Sequence, residues 1–148
     1  ETTIKLISMQ IDPLFNKEGP KEIDQLKVPL IRRQVWIKNK NKNLAWAESW
    51  WNAEQVKENL KSKEEPIWKN LTQDRSELFR EVDKISIVNS KWLEDKFSFQ
   101  GPFWSRNYRF FRNKKPLTII REVFNPYLET YLGPSGIQEF YSLYSSSS

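Results

Sequence analysis

Two ionisable side chains stand where the surrounding pattern calls for hydrocarbon. Residues 28–38, VPLIRRQVWIK, read as a strand, and side chains alternate between the faces of a strand. Ile31, Arg33, Val35 and Ile37 therefore share one face, which is apolar except for Arg33. In residues 116–124, PLTIIREVF, the face of Ile120, Glu122 and Phe124 is apolar except for Glu122. Charges are seldom buried unless they are paired or put to use. Two accounts fit: a structural Arg33–Glu122 salt bridge, or a cavity lined by one cation and one carboxyl group. Such a cavity suits a small anion that also carries a hydroxyl. The guanidinium takes the carboxylate as a bidentate pair, and Glu122 meets the hydroxyl.

Other polar candidates are weaker. Arg106 and Arg109 in WSRNYR either add positive charge to such a cavity or sit on a solvent face. Glu48 is expected at a surface or sheet edge. Trp46, Trp50 and Trp51 are expected to pack in the core, with stacking on an aromatic ligand as the alternative. No phosphate-binding glycine loop, nucleophile elbow or metal motif is present.

Composition narrows the chemistry further. The sequence has no Cys, so disulfides, thiolate catalysis and Cys-bound zinc are excluded. It has no His, the commonest general base and transition-metal ligand. Proton chemistry then falls to Glu, Asp, Lys, Tyr or the substrate itself. No acidic cluster suggests magnesium. The net charge of +5 has two readings, a solubilising lysine surface or attraction of an anion. Lysines 38, 40, 42, 57, 61, 63 and 69 alternate with acids or fall in turns, which disfavours a nucleic-acid stripe.

Several elements must position these side chains. Residues 2–11 read as a strand. Asp12-Pro13 and Gly19-Pro20 mark irregular chain. Residues 28–38 and 44–52 flank the polar turn Asn39 to Asn43 and form a hairpin. Ala53 to Lys61 reads as a short amphipathic helix, and Pro66 opens a second. Residues 78–89 are ambiguous, with strand character in their second half. Residues 103–112 and 116–124 flank Asn113-Lys114-Lys115 and form another hairpin, ended by Asn125-Pro126. Closing helical turns are expected at 127–132 and 137–144. The sum is an α+β domain, a single antiparallel β-sheet with helices packed on one side. It spans residues 1–144, followed by a disordered serine tail at 145–148.

At 148 residues, the chain can bury one sizeable core, and seven Trp and nine Phe suit a folded interior. No apolar run reaches the roughly 20 residues of a membrane span, and no signal peptide is visible. The sequence opens on Glu1 rather than Met, which fits a fragment or a processed chain.

These segments resemble the chorismate lyase family, including its cyanobacterial and plastid-encoded branch. The family's strand–turn–strand appears as LIRRQVWIKNKNKNLAWAES, with Arg33 on the substrate-binding Arg and Gln34 replacing the usual Glu. Its Pro-Leu helix start appears as Pro66-Ile67, where a backbone amide helps hold the ligand carboxylate. Its Leu-Trp-Gly-Arg run appears as Phe103-Trp104-Ser105-Arg106, with Ser105 for Gly. Lys115-Pro116-Leu117 and Glu122-Val123-Phe124-Asn125-Pro126 close the pattern, with Glu122 on the active-site Glu. The match covers roughly residues 28 to 126. The family's amino-terminal helices, which include part of a flap over the site, have no counterpart after Glu1.

The resemblance implies a chorismate lyase-like fold and a cofactor-independent carbon–oxygen lyase without a metal. It would convert chorismate to 4-hydroxybenzoate and pyruvate, supplying a quinone ring precursor. Arg33 and Glu122 are the implied catalytic residues, and Arg33, Ile67 and Glu122 the implied substrate contacts. A cytoplasmic monomer with no nucleic-acid or membrane partner is expected. The alternative is a non-catalytic domain of the same fold that binds an aromatic carboxylate.

Overall fold

A computed structural model of the protein describes residues 2–12, 19–59 and 78–128. Six strands form one antiparallel sheet: β1 (Thr2–Ile11), β2 (Leu30–Asn39), β3 (Lys42–Asn52), β4 (Leu78–Val88), β5 (Phe103–Arg112) and β6 (Lys115–Phe124). Their spatial order is β1-β2-β3-β6-β5-β4. The sheet thus consists of two three-stranded halves, each built from strands consecutive in sequence and joined where β3 pairs with β6.

Turn chemistry explains the hairpins. Between β5 and β6, Asn113 and Lys114 have φ of 51° and 67°. Two positive φ values in a two-residue loop match the twist of the flanking strands. Between β2 and β3, Lys40 has φ 53°. Each hairpin also contains a bulge, at Leu44 of β3 opposite Ile37 and Lys38, and at Leu117 of β6 opposite Phe110 and Phe111. An extra residue there shifts the pairing register for the rest of the hairpin.

Cross-strand partners define the two faces. On the first face, one row runs Arg33, Ser49, Ile120, Tyr108, and the next runs Val35, Ala47, Glu122, Arg106. On the second face, the matching rows are Arg32, Trp50, Ile119, Arg109 and Gln34, Glu48, Arg121, Asn107.

Among the described residues, three helical segments accompany the sheet: a 3-10 helix (Lys21–Gln25), α1 (Ala53–Asn59) and α2 (Lys91–Phe97). Leu93 and Phe97 of α2 pack on Trp36 and Val123, at one end of the second face. Ile23 and Leu26 pack on Trp50 and Ile119 at its other end. On the first face, Val56 of α1 joins Trp51, Tyr108 and Ile120, while Leu128 closes over Ile4, Val35 and Ile37. The Ser90 hydroxyl accepts from the Leu93 amide at 3.2 Å and caps α2. Ser98 ends α2 in the left-handed region.

Three expectations need amending. Residues 78–88 are strand throughout, because the first half of β4 pairs with β5 from Leu78 onward. The strand around Arg33 begins at Leu30, after Pro29. The 3-10 helix and α2 were not anticipated, since each is short and has few apolar residues. The helix opening at Pro66, the closing turns beyond Leu128 and the serine tail lie outside the described residues. Among the described residues, no helix is long and apolar enough to cross a membrane.

Candidate functional site

Arg33 and Glu122 do point to the same face, as the alternation requires, and both are buried, at 2% and 1% exposure. They lie two strands and one row apart, a lateral separation of about 10 Å. The guanidinium beside Glu122 is that of Arg106, whose Nη2 stands 3.5 Å from Oε1. That is longer than an ordinary charge-assisted hydrogen bond. Arg106 thus belongs to the site face, resolving one of the two alternatives for it. Its guanidinium also lies 5.3 Å from the Phe124 ring centroid.

The surroundings of Glu122 are mostly hydrocarbon. Val35 and Ala47 precede it in its row, and Ile120 and Phe124 flank it on β6. Burial is the largest influence on its carboxyl and pushes the pKa up to about 8. The Arg106 charge and hydrogen bonds from Tyr108 and Arg106 oppose that shift but do not overcome it. At neutral pH the carboxyl is therefore predominantly protonated. A neutral carboxyl can donate one hydrogen bond and accept others. The Tyr108 phenol is itself raised well above its usual value, first by burial and then by the neighbouring Glu122.

Ser49 and Tyr108 were not singled out from the sequence. Both share the Arg33 row, Ser49 directly opposite Arg33. The signal was present: Tyr108 is two residues from Arg106 on one strand and so shares its face. Beside Arg106, a groove of about 270 Å³ is lined by Ile85, Trp104, Phe124, Pro126 and Leu128. Ile67, implied as the source of a ligand-binding amide, lies outside the described residues.

The second face corrects the expectation for Glu48. It occupies the centre of the sheet and is fully buried. Its Oε2 accepts from Arg32 Nε at 2.6 Å, from Arg32 Nη2 and from Gln34 Nε2 at 2.9 Å. Its Oε1 accepts from Arg121 Nη2 at 2.6 Å and Nε at 3.1 Å. The Arg32 and Arg121 guanidinium groups lie 6.0 and 5.5 Å from the Trp50 ring centroid. This is a satisfied structural network. Arg109 belongs to the same face and donates to Asp83 through Nε and Nη2, so it takes no part in the site. Trp50 and Trp51 are fully buried, as core packing requires.

The chain is 41% identical over 105 residues to the ycf21 protein of Cyanophora paradoxa, covering 70% of this chain and 54% of that protein. It is 38% identical over 102 residues to the ycf21 protein of Porphyra purpurea, covering 68% and 59%. The chain thus spans a little over half the length of these relatives. Among solved structures, a PhnF C-terminal domain superposes with a TM-score of 0.65 at 11% identity, covering 84% of this chain and 82% of that one. The ligand-binding domain of a GntR-family regulator from Bordetella bronchiseptica gives 0.62 at 11%, covering 83% and 84%. These likenesses establish the chorismate lyase-like fold. The family model described as "Chorismate pyruvate-lyase Rv2949c-like" matches residues 1–132. The chain is a member of the Rv2949c-like chorismate pyruvate-lyase family.

Proposed function

We propose that the protein removes pyruvate from chorismate and leaves 4-hydroxybenzoate, the precursor of a quinone ring. The observation that carries this reading is the buried carboxyl of Glu122, held beside Arg106 and Tyr108 on the sheet face of Arg33. Membership of the family supports it.

In this reading Arg33, with the Ile67 amide that the family resemblance adds, takes the ring carboxylate. Glu122 hydrogen-bonds the ring hydroxyl. The ether carbon–oxygen bond breaks, and its electron pair leaves with the enolpyruvate oxygen. The ring carbon that bears the hydroxyl loses its proton, and the ring becomes aromatic. Enolpyruvate gains a proton on its methylene carbon and becomes pyruvate. Aromatisation drives the step, so the protein has chiefly to orient the dianion and stabilise charge on the departing oxygen.

A second reading has one specific support, the solved regulator domain described as ligand-binding. In that reading, the same face of this chain binds an aromatic carboxylate without turning it over. Incubation of full-length protein with chorismate, followed by chromatography, separates the two. Equal amounts of 4-hydroxybenzoate and pyruvate are expected. Retained 4-hydroxybenzoate binding without turnover would select the binding domain.

A further inference from the structure

We infer that Arg106 and the groove beside it form a second carboxylate subsite, which receives the enolpyruvyl side chain of the substrate. The inference deepens the proposed function and rests on its choice of substrate class. It starts from the order of groups across the sheet. Arg33 stands on β2, Glu122 on β6 and Arg106 on β5, directly across from Glu122 in the ladder. A cation, a carboxyl and a second cation therefore follow one another across one face.

Chorismate carries one group to match each of the three. The ring carboxylate is at one end and the hydroxyl at the other. The enolpyruvyl ether is on the ring carbon next to the hydroxyl and ends in a second carboxylate. With the ring carboxylate at Arg33 and the hydroxyl at Glu122, the ether branches beside the hydroxyl, and the pose that turns it toward β5 gives its carboxylate a cation. There it meets Arg106, whose side chain is only 13% exposed. A guanidinium in such a place binds a carboxylate far better than one surrounded by water.

The groove supplies the remaining requirement. Ile85, Trp104, Phe124, Pro126 and Leu128 give it a hydrocarbon wall, with Ser105 and Asn125 as its other polar lining beside Arg106. Its volume of about 270 Å³ exceeds what a three-carbon acid fills. Ile85, on the outer strand β4, is an exposed part of its wall. The Phe124 ring centroid lies 5.3 Å from the Arg106 guanidinium and helps to hold it in place. Arg106 would in addition stabilise negative charge as the ether bond breaks, because the departing enolate carries that carboxylate.

The test uses wild-type protein and two synthetic ligands. The first is 3-(carboxymethoxy)-4-hydroxybenzoate, a stable aromatic dicarboxylate; the second is 3-methoxy-4-hydroxybenzoate, which lacks the second carboxylate. Titration calorimetry is expected to show the dicarboxylate bound roughly 10- to 100-fold more tightly, as for a charged hydrogen bond. Equal affinities would overturn the subsite. Arg106→Gln should erase that preference, and Arg106→Lys should retain part of it. An equal loss for both ligands would assign Arg106 to holding Glu122 alone. If chorismate is not turned over but the preference stands, the lyase reading fails and the subsite survives. If chorismate is turned over without the preference, the reverse holds.

Discussion

Arg106 sits directly across the β5–β6 ladder from Glu122, yet its Nη2 stops 3.5 Å short of the carboxyl oxygen. The two side chains are neighbours without being locked into a tight ion pair. Burial dominates the carboxyl, and the guanidinium only moderates it.

A pH signature follows from Glu122. Its carboxyl titrates near 4.5 in an unfolded chain and at about 8 in the fold. Between these values the folded protein holds a proton that the unfolded chain has lost. The group's contribution to stability is complete below about pH 4.5 and is lost as pH climbs through 8. The slope is at most about 1.4 kcal/mol per pH unit. Glu122→Gln should flatten this decline in urea unfolding measured from pH 5 to 9, and should impair turnover more than folding. A variant that loses folding and keeps its pH slope would contradict both statements.

Arg33→Ala should weaken 4-hydroxybenzoate binding by about 1.5–3 kcal/mol, the range for hydrogen bonds to a charged group. Titration calorimetry at constant pH reads this directly. Unchanged affinity would remove Arg33 from the site.

Glu48→Ala should destabilise the fold by about 3 kcal/mol without altering ligand affinity. It leaves the half-buried Arg32 and Arg121 without their shared carboxylate, on the sheet face away from the site. Denaturant midpoints and 4-hydroxybenzoate titration together check the claim. A loss of affinity in folded protein would mean that the two faces are coupled.

Ser90→Ala should cost about 1 kcal/mol, because the hydroxyl caps α2. The helix anchors Leu93 and Phe97 against Trp36, so thermal unfolding is the suitable readout.

Strand alternation alone was enough to put Arg33 and Glu122 on inward faces, because each is flanked by Ile, Val or Phe at two-residue spacing. Turn residues were equally legible, since Asn-Lys sequences bracket both hairpins. The partner of Glu122 was not. Counting outward from Arg112 and Lys115 puts Ser105 opposite Glu122, and the bulge at Leu117 moves that place to Arg106. A bulge adds a residue without any strong sequence mark, so register beyond it is hidden. Glu48 failed for another reason. Its strand is the central one, and centrality is set by the β3–β6 pairing between residues some 70 positions apart. Its partners Arg32 and Arg121 come from both neighbouring strands and become neighbours only after that pairing.

The seam between β3 and β6 has a kinetic consequence. Each half of the sheet is a meander of strands adjacent in sequence, so its internal pairings close short loops and form early. Arg33 belongs to one half, and Glu122 with Arg106 to the other. The site comes into existence only when the halves dock, after most of the chain has already ordered. A ligand that bridges Arg33 and Glu122 then stabilises the native state more than the barrier before it. In stopped-flow experiments, saturating 4-hydroxybenzoate should slow unfolding and leave the refolding rate almost unchanged.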